Sequence, residues 1–359
     1  YNLKQFEFSQ SYFMFWDKIE KANYFLENII RTSVEPWNSR LIMYLLENPI
    51  QDGGQWDMFV NLIRKYGVVP QTEMPESFQS SKSMRMNRMI TRKLREFAKS
   101  LREAYNEGKN LTVLHRMKKE MLAVIYQMLV IHLGTPPVRF DWQVRDKDKK
   151  FHRFENLTPK RFFSDHVGLN LDDFSCLINC PMSDKTYNEV YTVEYLGNVV
   201  GGDIIRYLNL PSSRLKECAV QSIRDDDPVW FGCDVGKYFH RDLGVMDMDL
   251  FDFELFYGTD FPMNKADRLE YGDSQMTHAM LFTGVDLDKG GKPRKWRVEN
   301  SWGNKRGDKG YDIMTDKWFD EYNYEIVVHK KYLTDEELEI YQREPVKLSP
   351  WDPMGSLAR

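Results

Sequence analysis

The chain has 359 residues, of which 42% are hydrophobic and 29% are charged, and its formal net charge is -4 at pH 7. A chain of this length can bury a large core in more than one lobe. Four cysteines are too few for a disulfide framework, and none forms the C-x-x-C pair of a zinc site. We therefore expect a soluble protein of a reducing, cytoplasmic compartment, without a metal or other cofactor.

The most apolar stretch of the chain does not have the pattern of a membrane segment. Residues 121–133 are too few to span a bilayer, and they include Gln127 and His132. No signal peptide is visible. Because Tyr1 leads directly into an apolar, helix-like segment, we expect that the chain begins inside a larger protein.

The first third of the sequence has the apolar spacing of helices. One helix is predicted within residues 6–30 with Ser9 as its N-cap, and another over residues 55–66, closed by Gly67. The loop before the second helix carries the glycine turn Asp52-Gly53-Gly54.

Two longer helices follow, and they are strongly basic. Apolar residues recur every three or four positions from Met86 to Tyr105, and a further helix runs from about Leu114 until Gly134 ends it. Residues 81–120 hold twelve Lys or Arg against four Glu. This surface is either a solvated helix face or a site that attracts peptides or nucleic acid nonspecifically. No stacking aromatics alternate with the basic positions, which disfavours nucleic acid.

The last third of the sequence changes to strand patterns, which indicate a sheet or an open barrel. The predicted strands cover residues 228–233, 279–285, 295–298 and 324–328. Thr334 to Glu337 is a capping box, so a final helix is predicted to start there and to end before Pro345. An extended tail is predicted over residues 346–359.

The strongest chemical signal is a histidine and an asparagine at the ends of two predicted neighbouring strands. His278 begins one strand, and after a turn at Gly290-Gly291 the next strand leads into Asn300-Ser301-Trp302-Gly303. A hairpin of this kind can place His278 and Asn300 side by side. An imidazole can activate a cysteine nucleophile while the asparagine oxygen orients the ring, and Trp302 would shield that hydrogen bond from water.

The alternative for a histidine beside a strand is a core or surface residue without a chemical role, and we expect this of the other six histidines. For His278 the surrounding motif favours a catalytic role. The combination H-A, N-S-W-G and a downstream G-Y resembles the His and Asn segments of the papain-like cysteine peptidases.

Other segments are similar to the bleomycin hydrolase (aminopeptidase C) branch of that family, so the resemblance covers essentially the whole chain. They are residues 6–12, 48–49 together with 52–58, 191–195, 229–237 and 351–355. The resemblance implies an α+β, papain-like fold with a helical lobe, a β-barrel-like lobe, a helical insertion and a C-terminal arm. It further implies a homohexameric aminopeptidase that acts on peptides, and on the amide of bleomycin-like drugs, through a thioester.

The nucleophile of that family is missing from its expected context. The resemblance places it in a G-R-C-W type segment, shortly after an oxyanion-hole glutamine, and neither appears in the sequence. None of Cys176, Cys180, Cys218 and Cys233 is followed by Trp or Tyr, so each is expected to be an ordinary buried thiol. We expect the nucleophile upstream of Tyr1 and the chain alone to be inactive.

The resemblance also suggests how a substrate is held. Gly53 and Gly54 match the glycine pair that offers backbone hydrogen bonds to an extended substrate, although a simple turn is an equal alternative. The tail resembles an arm whose terminal carboxylate binds the free amine of a substrate in the cleft. The terminal Arg359 would bring positive charge to that amine, so the pairing requires that the end be trimmed.

These expectations divide the chain into four segments. Residues 1–80 are the remainder of the helical lobe, 81–200 the helical insertion with a connecting segment, 201–333 the β-rich lobe with His278 and Asn300, and 334–359 the terminal helix and arm. The leading hypothesis is a cysteine aminopeptidase. The second is a noncatalytic oligomeric scaffold or a nonspecific nucleic-acid-binding protein.

Overall fold

The structure is a computed structural model and describes residues 1–358. Its residue contacts divide it into two units. Unit 1 consists of Tyr1–Asn170, Tyr195–Ile204 and Ala358, and unit 2 consists of Leu171–Glu194 and Ile205–Leu357. Both units take residues from separate parts of the chain, whereas the four segments of the sequence analysis are contiguous and stay a prediction.

Unit 1 is built mainly of helices, and α1 packs against both α5 and α6. The helices are α1 (Gln10–Arg31), α2 (Arg40–Glu47), α3 (Trp56–Tyr66), α4 (Phe78–Ser81), α5 (Met84–Asn106), α6 (Leu111–Leu133) and α7 (Pro159–Phe162). A two-stranded antiparallel hairpin lies between α6 and α7 and consists of β1 (Phe140–Arg145) and β2 (Phe151–Leu157).

The predicted helix ends of unit 1 are confirmed by their caps. The Ser9 hydroxyl accepts a hydrogen bond from the backbone N–H of Tyr12 at 3.0 Å, at the start of α1. Gly67 ends α3 with a φ of 74°, and a Cβ there would lie 2.3 Å from the backbone of Pro159. Only glycine fits such a position. Gly134 follows α6, as predicted.

The amphipathic pattern of α5 is also confirmed. Its buried residues recur at helical spacing and face α1 and α6, and they are Met86, Ile90, Leu94, Ala98, Leu101 and Ala104. Most of the Lys and Arg residues between them are exposed.

Unit 2 is built around one sheet. Its strands are β3 (Phe174–Ile178), β4 (Glu189–Val193), β5 (Tyr207–Asn209), β6 (Val229–Cys233), β7 (Phe239–His240), β8 (Val245–Met246), β9 (His278–Leu287), β10 (Pro293–Glu299), β11 (Tyr311–Thr315), β12 (Asn323–His329) and β13 (Val346–Leu348). Its helices are α8 (Ser212–Arg224), α9 (Phe253–Tyr257), α10 (Lys265–Glu270), α11 (Asp316–Tyr322) and α12 (Asp335–Tyr341).

The sheet has 11 strands in the order β13-β4-β5-β3-β12-β6-β9-β10-β11-β8-β7. Its central ladders, from β3 through β12, β6, β9 and β10 to β11, are antiparallel. The four predicted strands correspond to β6, β9, β10 and β12, and the capping box of Thr334 and Glu337 starts α12 as predicted. A mainly helical unit and a sheet unit give the predicted α+β class.

Aromatic side chains form the centre of the core of unit 2. The rings of Phe231 and Phe282 stack at 3.8 Å between centroids, and Trp296 lies 5.0 Å from Phe282. Trp296 is also 5.1 Å from Phe319 of α11. All four side chains are fully buried, so this core anchors the strands β6, β9 and β10.

The prediction of an extended tail is wrong for its last part. Residues Val346–Leu348 do form the strand β13, but Pro353–Ala358 is a 3₁₀ helix. The Asp352 side chain accepts a hydrogen bond from the backbone N–H of Met354 at 3.0 Å, and Pro353 has a backbone angle suited to a first helical position. These two residues turn the chain where the sequence analysis expected it to stay extended.

No helix within residues 1–358 combines the length and the apolar character that crossing a bilayer requires.

Candidate active site

The hairpin of β9 and β10 positions the predicted histidine and asparagine. His278 is the first residue of β9, and Asn300 directly follows β10. The two strands pair antiparallel, with Glu299 opposite Leu281. At the far end, the Asp288 side chain accepts backbone hydrogen bonds from Gly290 and Lys292 and closes the turn. The open end of the hairpin therefore presents both residues together.

The two side chains are hydrogen bonded. Nε2 of His278 lies 3.0 Å from Oδ1 of Asn300. Burial lowers the pKa of the His278 imidazole below its ordinary value, the Asn300 hydrogen bond acts in the opposite direction, and the Arg241 cation lowers it further. The imidazole is thus held in one place by the amide and is kept neutral more readily than a free histidine.

Trp302 covers the histidine ring. The two ring centroids are 4.7 Å apart with planes inclined by 30°. The guanidinium of Arg241 lies 5.4 Å from the Trp302 ring, in cation–π distance, and Phe239 is a further neighbour at 6.2 Å. Trp302 is 36% exposed, so it forms the outer layer over His278.

Asp312 is a member of this group that the sequence analysis did not identify. Nδ2 of Asn300 donates a hydrogen bond to Oδ2 of Asp312 at 3.2 Å. Asp312 is only 4% exposed, and burial raises the pKa of its carboxyl group. A signal was present, because Asp312 directly follows the Gly310-Tyr311 pair of the motif. The four side chains therefore form one connected cluster within unit 2.

The four cysteines have the character of buried structural thiols. None of them forms a disulfide bond, and all are buried. Burial raises the pKa of Cys180 and of Cys218 to about 12, and that of Cys233 well above its ordinary value. Cys233 lies opposite His278 in the ladder of β6 and β9, but its side chain belongs to the apolar core. The Cys176 thiol donates to the Glu325 carboxylate at 2.6 Å.

The predicted glycine pair lies in unit 1, on the loop between α2 and α3. A Cβ added to Gly54 would meet no atom within 4 Å, so the space beside this residue is open. Two lysines of α1 bind the two residues that precede Gly54. Lys21 donates to the backbone oxygen of Gly53 at 2.6 Å, and Lys18 forms an ion pair with Asp52 at 2.6 Å.

Asp52 joins this loop to the start of α5 as well. Its carboxylate accepts hydrogen bonds from Ser83 and, at 2.9 Å, from Asn87. Burial opposes ionisation of Asp52, but Lys18 and these donors outweigh it and lower its pKa to about 2. Burial lowers the pKa of Lys18 to about 8. The glycine loop is therefore fixed from two helices.

The end of the described chain is attached to the same loop. The side-chain amide of Gln51 donates a hydrogen bond to the backbone oxygen of Ala358. Arg359, the residue predicted to bind substrate at the terminus, lies outside the described residues. Its role stays a prediction.

Several basic side chains of α5 and α6 form hydrogen bonds or ion pairs within the protein. Arg95 donates to the backbone oxygens of Leu46 at 2.9 Å and of Glu47 at 2.7 Å, at the end of α2. Arg102 donates to the backbone oxygen of Thr32, which caps the end of α1. Other lysines of this surface pair with glutamates, and they are Lys93, Lys99 and Lys118. These contacts favour the interpretation as a solvated and structural helix face.

Within residues 1–358, no group of three or more His, Cys, Asp or Glu side chains is placed to hold a metal ion.

Comparisons with known proteins give consistent matches along the chain. The sequence signature of the Peptidase C1-like family matches residues 1–355. The chain is 50% identical over 356 residues to Aminopeptidase C of Listeria monocytogenes, covering 99% of this chain and 80% of that protein. It is 47% identical over 366 residues to Bleomycin hydrolase of Gallus gallus, covering 100% of this chain and 80% of that protein.

A solved structure is similarly close. PepW from Lactobacillus rhamnosis HN001 is 48% identical and superposes with a TM-score of 0.97, covering 99% of this chain and 80% of that one. Identity of this size together with near-complete overlap means that the two chains share one fold.

Proposed function

Since the chain belongs to the Peptidase C1-like family, we propose that its 359 residues supply the base and the orienting amide of a cysteine aminopeptidase. Its relatives carry the names Aminopeptidase C and Bleomycin hydrolase. The observation that carries the proposal is the hydrogen bond between Nε2 of His278 and Oδ1 of Asn300. That pairing leaves Nδ1 of His278 as the nitrogen that exchanges protons with the reacting groups.

The reaction proceeds through a thioester. A cysteine thiol gives its proton to Nδ1 of His278, and the thiolate attacks the carbonyl carbon of the first peptide bond. The C–N bond breaks as the imidazolium protonates the departing amine. His278 then takes a proton from water, the hydroxide attacks the thioester, and the C–S bond breaks to return the thiol and release the N-terminal residue as an acid. Asn300 and Trp302 hold the ring through both steps.

None of the four cysteines of this chain is the proposed nucleophile. A nucleophilic cysteine requires a lowered pKa and access to substrate. Burial raises the pKa of three of these thiols, and Cys176 is buried against the Glu325 carboxylate. The attacking thiol therefore comes from outside the 359 residues, and the chain on its own is inactive.

Selection of N-terminal residues is assigned to the glycine loop and the arm. The backbone of Gly53 and Gly54 would receive an extended peptide, which the open space beside Gly54 supports. The terminal carboxylate of the arm would pair with the free amine once Arg359 is removed. The hydrogen bond from the Gln51 side chain to the backbone oxygen of Ala358 supports that assignment.

Location and assembly complete the proposal. Four cysteines that form no disulfide bond are compatible with a reducing, cytoplasmic compartment. The homohexamer implied by the resemblance is the proposed assembly, with peptides and the amides of bleomycin-like drugs as substrates. Nonspecific binding of nucleic acid is the weaker candidate, because Arg95 and Arg102 are engaged with helix ends.

Two assays test this function. A form of the protein that contains the nucleophilic cysteine should hydrolyse an aminoacyl amide with a free amine and leave its N-acetylated counterpart intact. The 359-residue chain should show neither hydrolysis nor rapid labelling by iodoacetamide under native conditions. Cleavage of the acetylated substrate would refute the aminopeptidase, and hydrolysis by the chain alone would refute the exclusion of its four thiols.

A further inference from the structure

The buried carboxylate of Asp312 is connected to His278 through the side chain of Asn300. Asp312 lies on β11, opposite Val298 in the ladder with β10. This ladder brings Oδ2 of Asp312 to 3.2 Å from Nδ2 of Asn300, while Oδ1 of Asn300 is 3.0 Å from Nε2 of His278. The amide of Asn300 therefore stands between an acidic group and a ring nitrogen.

This arrangement allows only one orientation of the amide. An ionised carboxylate can only accept hydrogen bonds, so it requires the NH₂ group of Asn300 on its side. A rotated amide would place two oxygens against each other and would turn NH₂ towards His278. With the oxygen facing His278, Nε2 of the neutral ring has to be the donor, and the proton is therefore absent from Nδ1.

We propose that Asp312 is a positioning residue that sets the tautomer of His278 by fixing the amide of Asn300. The role matters for catalysis under the proposed function, on which it rests, because only a ring with a free Nδ1 can accept the proton of a thiol. The tautomer itself is a property of the 359-residue chain and exists without the nucleophile.

The surroundings of Asp312 hold its carboxylate in this place. Gly244 and Gly307 both have a positive φ, at 66° and 55°. A Cβ added to Gly244 would lie 2.7 Å from Oδ1 of Asp312, and a Cβ added to Gly307 would lie 2.8 Å from the same atom. The backbone at these glycines therefore closes around the carboxylate. Burying an acid is unfavourable unless it has a defined partner, and an apolar residue would fill the same space at lower cost.

The test reads the tautomer directly by NMR on the whole 359-residue chain with ¹⁵N-labelled histidine. Long-range ¹⁵N–¹H correlations distinguish a ring protonated at Nε2 from one protonated at Nδ1, and His278→Gln identifies the signal. The spectra are recorded at a pH where His278 is neutral. The parent should show the Nε2–H form. Asp312→Asn, whose amide can face Asn300 in either orientation, should raise the ratio of Nδ1–H to Nε2–H about 10-fold.

The control is Asp286→Asn, an exposed carboxylate on β9 that pairs with Arg294 at 3.9 Å, and it should leave the ratio unchanged. Asp312→Ala is a second variant, and it should also raise the ratio of Nδ1–H to Nε2–H. If Asp312→Ala does not fold, the ratio in Asp312→Asn alone tests the positioning role. A folded Asp312→Asn chain with the parental tautomer ratio would overturn the positioning role, as would an Nδ1–H form in the parent. Because no peptidase activity is measured, failure of the aminopeptidase assay would refute the proposed function and leave this result standing.

Discussion

The charge state of one imidazole depends on two residues that act in opposite directions. The Arg241 cation lowers the pKa of His278, and the Asp312 carboxylate raises it, while burial has the largest effect and lowers it. The net lowering of the His278 pKa favours the neutral ring. These neighbours come from separate parts of the chain, so their effects can be tested one residue at a time.

We predict that Arg241→Gln raises the pKa of His278. The substitution removes a positive charge that disfavours the imidazolium, and it leaves burial and the Asn300 hydrogen bond in place. An NMR titration of the His278 ring in the 359-residue chain measures the change, with the exposed Arg294→Gln as control. A lower or unchanged pKa in Arg241→Gln would contradict this electrostatic assignment.

The sequence could predict that His278 and Asn300 lie side by side, but it could not predict the contact of Asn300 with Asp312. The pair stands out because a histidine and an asparagine begin and end strands in a recognisable motif. Asp312 reaches Asn300 only through the register of β10 and β11, which alternation along one strand does not determine. The structure is therefore needed to identify a partner residue that lies on a third strand.

At the scale of elements, helix ends and strands were predictable, whereas the buried face of α1 was only partly so. Lys18 is 1% exposed although a lysine on a surface helix usually faces water. It is buried because the backbone oxygens of the loop after α2 need donors, and Lys18 donates to that of Gln51. Helical periodicity predicts which face of a helix is apolar. It does not predict that a lysine is buried because it donates hydrogen bonds to a neighbouring loop.

We predict that Lys18→Met loosens the glycine loop. The change leaves the Gln51 oxygen without this donor and Asp52 without its ion pair, so the free energy of unfolding should fall by about 1–3 kcal/mol. In the nucleophile-bearing enzyme KM for peptides should rise more than kcat falls. Urea unfolding and steady-state kinetics measure both effects.

Lys99→Met is the matched control, because Lys99 is exposed on α5 and pairs with Glu103 within one helix. Such a pair contributes about 0.3–0.5 kcal/mol. Equal effects of the two substitutions on stability and KM would show that the loop does not depend on Lys18.

At the scale of the whole molecule, the path of the chain between the two units is known only from the structure. Residues 195–204 return to unit 1 after a segment of unit 2, and local helix and strand patterns do not encode such a return. The basic surplus of residues 81–120 is a second example, since composition counts charges but does not reveal that Arg95 and Arg102 cap other helices. The α+β class and the proximity of His278 and Asn300 were nevertheless predictable, because the helix and strand patterns and the motif around the pair are local and resemble a known family.

A buried lysine should shape the pH dependence of stability. Lys265 donates to Oδ1 of Asn179 and to the backbone oxygen of Asn323, and burial lowers its pKa from 10.5 to about 7. Between these values the unfolded chain binds a proton that the folded chain does not. Stability therefore rises with pH in this window and is lost as the pH falls towards 7.

We predict that the free energy of unfolding of the chain increases by about 1 kcal/mol from pH 7 to pH 8, and that Lys265→Met removes most of this increase. Chemical denaturation at both pH values measures it. The exposed Lys317→Met should retain the parental slope. A parent chain without the increase, or a Lys265→Met chain that keeps it, would contradict the assignment.

We expect His278 and Asn300 to perform the acid–base chemistry of a cysteine aminopeptidase. The most direct measurement is kcat/KM for an aminoacyl amide in the nucleophile-bearing enzyme carrying His278→Ala, Asn300→Ala or the control His132→Ala. We predict a loss of about 100-fold or more for His278→Ala, a smaller loss for Asn300→Ala, and parental activity for the control, all with retained thermal stability. A folded His278→Ala enzyme with activity within about twofold of the parent would contradict the claim.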